Sequence, residues 1–215
     1  MLNKYNTFIF DLDGTLIDSS PDIIDGVNYT LNKFNLPPRS NQEIMNNVGK
    51  GLKYLLQQVL PSDFSQEDIL KAYYIQKEYY EIKKILAKPY KGVIELLDTL
   101  EKNTKNIFLV TNKPQKATLE VLKSLNLTKY FKNIFGADAL KEHKPSPYPI
   151  QYIAQKYNLK YDKMLFIGDS ITDYETAQNA EIDFVFVKYG YESKNITAKY
   201  KVDNILDLLS LNPNL

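Results

Sequence analysis

Residues 7–16 read TFIFDLDGTL, and the predicted architecture of the chain is built outward from them. The first four form a short apolar run that is typical of a buried β-strand. The run ends abruptly at Asp11 and Asp13, and Gly14 gives the backbone freedom to turn directly afterwards. A turn there can bring both carboxylates toward one site, where one could act as a nucleophile and the other could transfer protons. The simpler alternative is an Asp-Gly turn that only ends a strand.

Three later apolar runs have a similar length and the same abrupt polar ending. They cover residues 107–110, 164–167 and 184–187. Such runs suit the central strands of a parallel sheet that is covered on both faces. Because stretches of helical periodicity such as 93–100 and 114–125 lie between them, we predict a doubly wound, Rossmann-like α/β fold. Ligands bind such sheets beyond the carboxyl ends of the strands, where the polar residues of this chain fall.

Residues 18–86 have a different pattern, with helical periodicity, several breaks and no strand-like run. The segment Asp18-Ser19-Ser20-Pro21 predicts a helix start, with a capping hydroxyl followed by proline. We therefore predict an all-helical insert of residues 18–86. It is inserted into an α/β core made of residues 1–17 and 87–215.

The composition limits the classes of function. The 215 residues carry a formal net charge of +1, which argues against a broad basic surface for nucleic acid. The absence of cysteine excludes disulfides and thiol nucleophiles. No run approaches the roughly 18–20 apolar residues of a membrane helix, and the N-terminus has no cleavage-like signal. We expect a cytoplasmic enzyme with no nucleic-acid or membrane partner.

Polar residues that could bind an anion follow the first apolar run in the second half of the chain. Thr111 and Asn112 could donate hydrogen bonds to phosphate oxygens, although a simple cap for the next helix is an equal alternative. Lys144 lies in a proline-rich segment and could offset negative charge on a phosphate and on an aspartate. A solvated surface lysine is the common alternative.

Two further acids, Asp169 and Asp173, lie four residues apart at the start of a predicted helix. This spacing places them near one face, although the helix dipole alone also favours acids there. Together with Asp11 they would form an all-oxygen cluster. Such a cluster suits Mg²⁺, whereas zinc is disfavoured because the chain has one histidine and no cysteine.

Four segments in order along the chain resemble the motifs of the haloacid dehalogenase superfamily, in its phosphatase form. They are DLDGTL at 11–16, VTNKP at 110–114, KPSP at 144–147 and GDSITD at 168–173. The helical insert matches the position of the cap in the subgroup whose cap follows the first motif. The resemblance implies a phosphatase core that works with Mg²⁺ on a small phosphate ester.

The resemblance also implies roles for single residues. Asp11 would attack phosphorus and form an aspartyl-phosphate, and Asp13 would protonate the leaving oxygen and then deprotonate water. Thr111 and Lys144 would hold the transferring group. Four residues would be involved in binding Mg²⁺: Asp11, Asp13 through its backbone carbonyl, Asp169, and Asp173 directly or through water.

The helical insert is expected to select the leaving group. Its Gly49-Lys50-Gly51 turn permits close backbone approach, and Lys50 could meet an anionic substrate end, although a plain helix–helix turn is an equal alternative. With the motif at 110–114 and Tyr189-Gly190-Tyr191, this loop looks most like the phosphoglycolate phosphatase branch. We therefore expect hydrolysis of 2-phosphoglycolate or a similarly small phosphorylated acid.

Other functions remain open at this point. A sugar phosphomutase resembling β-phosphoglucomutase would share the two acids, and a non-catalytic module that binds phosphorylated ligands could use the same fold. Carbon–halogen cleavage is disfavoured, because those relatives lack an acid at the position of Asp13. The chain is expected to be a monomer or a homodimer.

Overall fold

The computed structural model describes residues 3–192 and 196–210. Its centre is a six-stranded sheet in the order β5-β4-β1-β6-β7-β8, and every neighbouring pair is parallel. The strands are β1 (Thr7–Phe10), β4 (Asn106–Val110), β5 (Asn133–Phe135), β6 (Met164–Gly168), β7 (Asp183–Val187) and β8 (Tyr200–Val202). The predicted doubly wound α/β fold is confirmed.

Four helices of the core lie between these strands and a short fifth follows the last strand, and together they cover both faces of the sheet. They are α5 (Val93–Lys102), α6 (Gln115–Ser124), α7 (Tyr148–Tyr157), α8 (Ile171–Asn179) and the short α9 (Asp207–Ser210). Alternate residues of β1 supply two separate apolar clusters, with Phe8 and Phe10 in one and Ile9 in the other. Burial on both faces explains why the central strands have no alternation of apolar and polar residues.

Four helices follow β1 and form a third apolar cluster of their own. They are α1 (Ser20–Lys33), α2 (Asn41–Met45), α3 (Leu52–Val59) and α4 (Gln66–Ile82). We call residues 18–86, which contain them, the helical cap. The observed helices agree with the predicted all-helical character, and the exact limits of the cap stay a prediction. Among the described residues, none of the helices combines the length and the apolar character needed to span a bilayer.

Two short strands join the cap to the core. β2 (Ile17–Asp18) and β3 (Lys88–Pro89) pair antiparallel, with Ile17 opposite Pro89 and Asp18 opposite Lys88. Neither strand was predicted, because two residues carry no periodicity. The two connections to the cap therefore run side by side at the edge of the core.

A buried ion pair stabilises this connection. The Asp22 carboxylate lies 2.7 Å from the Lys83 ammonium and accepts hydrogen bonds from the backbone N–H groups of Leu86 and Ala87 at 2.9 and 3.0 Å. Both side chains of the pair are almost fully buried. Because buried charges need such partners, Asp22 ties the start of α1 to the segment that returns to the core.

The helix start at residues 18–21 is confirmed, but its predicted cap is wrong. Ser19 is the N-cap residue of α1, and its hydroxyl makes no capping hydrogen bond. The hydroxyl donates instead to the Asp13 carboxylate at 2.5 Å. Ser19 therefore contacts an acid at the polar edge of the sheet, although its position in the sequence is typical of a helix N-cap.

Candidate active site

Three aspartates meet at the carboxyl ends of β1 and β6. Asp11 follows β1, Asp169 follows β6, and Asp173 lies in the first turn of α8. A carboxylate oxygen of each lies within 4.8 Å of the others, and all three residues are buried. Because β1 and β6 are parallel neighbours, acids that directly follow them emerge at the same edge of the sheet.

Lys144 lies between two of these acids. Its ammonium donates to Oδ1 of Asp11 at 2.6 Å and to Oδ1 of Asp173 at 2.5 Å, and its side chain is 2% exposed. Burial alone would lower the pKa of Lys144, but the two carboxylates outweigh it and raise the pKa above its ordinary value. The lysine is therefore charged, and it holds the Asp11 carboxylate in one orientation.

The cluster contains three carboxylates but one positively charged group, the ammonium of Lys144. Burial, with the charges of Asp173 and Asp13, raises the pKa of Asp11 to about 7 even though Lys144 lowers it. Burial raises the pKa of Asp169 well above its ordinary value, and the charges of Asp173 and Asp11 add to this effect. The cluster thus holds an excess of buried negative charge that a cation would relieve.

Asp169 is positioned by donors and by two glycines. Its carboxylate accepts hydrogen bonds from the Thr15 hydroxyl at 2.9 Å and from the backbone N–H of Tyr191 at 2.7 Å. A Cβ atom on Gly14 or Gly190 would overlap atoms of Asp169, and Gly14 also has a φ of +85°. Only glycine allows the backbone to approach the carboxylate so closely.

Asp173 has a structural role in addition to its place in the cluster. Its Oδ2 accepts hydrogen bonds from the backbone N–H and the hydroxyl of Ser170 at 3.0 and 2.6 Å, which forms a capping box at the start of α8. Its Oδ1 accepts from Lys144. Both oxygens of Asp173 are therefore already hydrogen bonded, one of them to the charged Lys144.

Asp13 has two partners. Its carboxylate accepts a hydrogen bond from the Ser19 hydroxyl at 2.5 Å and forms an ion pair with Lys113, whose ammonium lies 3.1 and 3.2 Å from the two oxygens. The Lys113 ammonium also lies 5.3 Å from the centre of the Tyr80 ring, which belongs to α4 of the cap. Asp13 is thus held by one residue from the cap connection and one from the core.

Thr111 and Asn112 lie where the sequence predicted, at the end of β4. Thr111 is buried beside Asp11 in the same cleft, and its Oγ accepts a hydrogen bond from the backbone N–H of Lys113. The Asn112 amide donates to the carbonyl oxygens of Gly49 and Lys144 at 3.1 and 3.0 Å. Within the described residues its Oδ1 accepts no hydrogen bond although it is buried. The Asn112 side chain therefore holds the cap loop against the core.

The cap loop, residues 48–51, lies across the aspartates with a cleft on each side. One cleft, with an open volume of about 500 Å³, runs from Asp11 and Asp13 past Lys113 to apolar side chains of the cap. The other, of about 1160 Å³, is polar and includes Asp169 and Lys50. We call them the narrow cleft and the wide cleft. Lys50 is exposed in the wide cleft, with its ammonium 4.9 Å from the Tyr54 ring centre.

The acids fit a hard divalent cation. Asp11 and Asp169 are buried carboxylates close enough to share one ion, and their pKa values are raised first by burial and then by repulsion from the neighbouring acids, which a cation would offset. Carboxylate oxygens are the ligands that Mg²⁺ prefers. Histidine and cysteine take no part in the cluster, so the donor set does not suit zinc.

The sequence prediction missed four residues that contact these acids: Thr15, Ser19, Lys113 and Tyr191. Thr15 and Lys113 lie inside the motif segments 11–16 and 110–114. Their position next to residues with assigned roles could have indicated that they belong to the site. The position of Ser19 is typical of a helix cap and points away from a role in the site. Tyr191 donates through its backbone N–H, which leaves no signature in the side chain.

Comparison with known proteins gives one family. The haloacid dehalogenase-like hydrolase family matches residues 8–187. A phosphoglycolate phosphatase of Vibrio parahaemolyticus is 32% identical over 208 residues, which cover 94% of this chain and 91% of the relative. Phosphoglycolate phosphatase 1 of Pseudomonas aeruginosa is 30% identical over 210 residues, which cover 94% of this chain and 77% of the relative.

Solved structures agree with this assignment. A crystal structure described as a predicted phosphoglycolate phosphatase from Haemophilus somnus matches with a TM-score of 0.89 and 28% identity, and the match covers 96% of this chain and 97% of the other. A predicted phosphatase from Clostridium acetobutylicum matches with a TM-score of 0.85 and 30% identity, covering 96% and 99% of the two chains. The chain therefore belongs to the haloacid dehalogenase-like hydrolase family.

Proposed function

We propose that this hydrolase is a Mg²⁺-dependent phosphomonoesterase that forms an aspartyl-phosphate on Asp11, and that 2-phosphoglycolate is its substrate. The observation that carries the proposal is the arrangement around Asp11. The carboxylate is buried and oriented by Lys144, with Asp169 on one side and Asp13 two residues further on. Phosphoryl transfer requires this combination of positioning and neutralisation of charge.

Asp11 and Asp169, with the backbone carbonyl of Asp13, would hold the Mg²⁺, and Asp173 would contact it through water. When bound, the ion neutralises charge on the phosphoryl oxygens and on the clustered carboxylates. Lys144 supplies the second positive charge. Its contacts with Asp11 and Asp173 fix the rotation of the Asp11 carboxylate relative to an incoming phosphorus atom.

In the first step an oxygen of Asp11 forms a bond to phosphorus while the bond from phosphorus to the substrate oxygen breaks. Asp13 donates a proton to the leaving oxygen, and the Ser19 hydroxyl keeps its carboxylate oriented. In the second step Asp13 removes a proton from water, which attacks phosphorus and releases phosphate and free Asp11. The same carboxylate thus acts as acid and then as base.

The cap loop has two roles in this proposal. The hydrogen bond from Asn112 to the Gly49 carbonyl holds the loop over the aspartates, which limits the access of water during the first step. Gly49 has a φ of +108°, a backbone conformation that residues with a side chain rarely adopt. The loop also borders the narrow cleft, which has room for a small leaving group.

The choice of 2-phosphoglycolate is supported by the names of the relatives and by the narrow cleft. Relatives about 30% identical over nearly the whole chain are called phosphoglycolate phosphatases. We retain the predictions of a cytoplasmic enzyme and of a monomer or homodimer. A sugar phosphomutase would use the same first step, and the test below distinguishes it.

The test is phosphate release from a panel of small phosphate esters that includes 2-phosphoglycolate, with Mg²⁺ or with a chelator. We expect Mg²⁺-dependent release by the native chain and none by Asp11→Asn. Asp203→Asn, which changes an exposed acid that is paired with Lys188 and lies outside the aspartate cluster, is the matched control. Asp13→Asn lacks the acid of the first step and the base of the second, so it should be slow on alkyl esters. With an aryl phosphate, whose leaving group needs no proton, we expect the phosphorylated variant to accumulate, which mass spectrometry after acid quenching detects.

The outcomes separate the candidate functions. Release that persists in Asp11→Asn would refute the covalent mechanism. Interconversion of sugar phosphates that requires a sugar bisphosphate and releases little phosphate would support a mutase. Absence of both phosphate release and such interconversion in folded protein with Mg²⁺ would favour a module that only binds phosphorylated ligands.

A further inference from the structure

A second buried lysine lies close to the reacting groups and has no part in the transfer of the phosphoryl group as described above. The Lys113 side chain is 7% exposed and is paired with Asp13 at 3.1 Å. The ion pair with Asp13 and the Tyr80 ring, whose centre lies 5.3 Å from the ammonium, stabilise the charged form of this lysine. A buried ammonium costs free energy unless ion pairs and hydrogen bonds replace its lost solvation.

The surroundings of Lys113 indicate what it could bind. It lines the narrow cleft, which also contains Asp11, and the cap side of this cleft is apolar, with Ile23, Leu52 and Leu55. A leaving group in this cleft would therefore meet one positive charge among apolar walls. That combination suits a short leaving group with a single anionic end.

The distances limit how long the leaving group can be. Asp13 must lie within hydrogen-bond distance, about 2.6–3.2 Å, of the leaving oxygen when it donates its proton. The ammonium of Lys113 is 3.1 and 3.2 Å from the two oxygens of the same carboxylate. A group one carbon beyond the leaving oxygen is therefore within reach of Lys113.

We infer that Lys113 is the specificity-determining residue that binds the carboxylate of the leaving group; this inference rests on the proposed phosphatase activity. A lysine ammonium has three N–H donors, and the two oxygens of Asp13 occupy two of them. The third donor is available to a substrate carboxylate without breaking the contact with Asp13. The substrate class is thus a phosphate ester of a 2-hydroxy acid.

Two lysines of the cap, Lys50 and Lys83, are poorer candidates for this role than Lys113, which belongs to the core. Lys50 is exposed, stacks against Tyr54 and lines the wide cleft. Lys83 is buried, but its ammonium is bound by Asp22 and donates to the Asp22 carbonyl. Lys113 alone among these three is both buried and in the cleft that contains Asp11 and Asp13.

The test compares two esters that differ only in the anionic end, 2-phosphoglycolate and 2-hydroxyethyl phosphate. The measured quantity is the ratio of their kcat/KM values. We expect the native enzyme to prefer 2-phosphoglycolate, and Lys113→Met to lower the ratio by about 100-fold, because a charge-assisted contact in a desolvated cleft is lost. Lys113→Arg, which keeps the charge, should restore part of the ratio.

Lys116→Met is the matched control, because it removes the same charge three residues further along the chain, at an exposed position paired with Glu81 of the cap. It should keep the native ratio. If thermal unfolding shows that Lys113→Met does not fold, Lys113→Gln replaces it. The ratio of the kcat/KM values of the native enzyme for the two esters tests the inference without any variant.

The results separate this inference from the proposed function. An equal loss on both esters in Lys113→Met would mean that the lysine serves only Asp13, and it would overturn the inference. So would a native enzyme without preference between the esters, or a loss of preference in Lys50→Met instead. No phosphate release from either ester by the native enzyme would refute the phosphatase proposal itself.

Discussion

Replacing Asp169 by asparagine should stabilise the metal-free protein and remove its response to Mg²⁺. The change removes one buried negative charge and keeps the shape of the side chain. The new amide can accept from the backbone N–H of Tyr191, as the carboxylate does, and can donate to the Thr15 hydroxyl after that hydroxyl rotates. The hydrogen bonds are therefore preserved while the charge is lost.

The size of the effect follows from the distances in the cluster. Two unit charges 4.8 Å apart repel each other by about 3.5 kcal/mol at an effective dielectric constant of about 20. Asp169 faces two such charges, Asp11 and Asp173, and Lys144 forms its ion pairs with those two acids. Because the raised pKa of Asp169 shows that protonation already relieves part of this repulsion, we expect a net gain of about 2–4 kcal/mol.

The assay is thermal unfolding at neutral pH, with a chelator and with saturating Mg²⁺. For a chain of this length, about 1 kcal/mol shifts Tm by roughly 2–4 °C, so Tm in the chelator should rise by about 5–15 °C in Asp169→Asn. The native protein should gain about 2.7 kcal/mol from Mg²⁺ at 100 times its Kd, and the variant should gain almost none. The control variant Asp203→Asn should behave like the native protein.

Two results would refute this reasoning. A lower Tm for Asp169→Asn in the chelator would mean that the carboxylate is stabilising in the metal-free protein, so that repulsion within the cluster is not the dominant effect. An undiminished rise of Tm with Mg²⁺ would mean that the ion binds elsewhere.

Three further predictions concern the same structure. The stability of the metal-free protein should fall as pH rises from about 4 to 8, because the pKa of Asp11 is raised to about 7 and the folded state holds a proton that the unfolded state releases. The slope should be at most about 1.4 kcal/mol per pH unit for each carboxyl group of this kind. Chemical denaturation with a chelator measures this, and Asp11→Asn should flatten the slope. Gly190→Ala should displace Asp169 and weaken Mg²⁺ binding at least about tenfold in a calorimetric titration, since Cβ would overlap the aspartate; unchanged affinity would contradict this. Asp22→Asn should cost about 3–5 kcal/mol in urea unfolding, because it leaves the buried Lys83 without its ion-pair partner, and a loss under about 1 kcal/mol would contradict it.

The central strands of the fold could be predicted because their sequence signal is local. The runs at 7–10, 107–110, 164–167 and 184–187 lie in β1, β4, β6 and β7. β5 and β8 were not predicted. They are three-residue edge strands, and β8 alternates buried and exposed residues within that short length, so neither forms a continuous apolar run.

The candidate site could be predicted in part for a related reason. Asp11, Asp169 and Thr111 directly follow strands, and parallel strands bring their carboxyl ends to one edge. Lys113 could not be singled out, because a lysine in the loop before a helix is usually solvated. Its burial depends on Tyr80, which lies in a separate helix of the cap.

The interactions of Asn112 also depend on tertiary structure. Its sequence position predicted an amide that donates to a phosphate, whereas the amide donates to carbonyl groups of Gly49 and Lys144. Those partners are 63 and 32 residues away in the chain. Contacts at such separations leave no pattern in a single sequence, and only the folded arrangement of cap and core reveals them.

The pairing of β2 with β3 has a consequence for how such a chain can change. Ile17 lies opposite Pro89 and Asp18 opposite Lys88, so β2 and β3 are the two strands of a β-hairpin whose loop is the whole cap. The entropy of closing a loop grows only logarithmically with its length. A longer, shorter or unrelated insert could therefore occupy the same two anchor points at nearly the same entropic cost of chain closure. As far as chain closure is concerned, the cap could be exchanged for another insert with the order of the core strands unchanged.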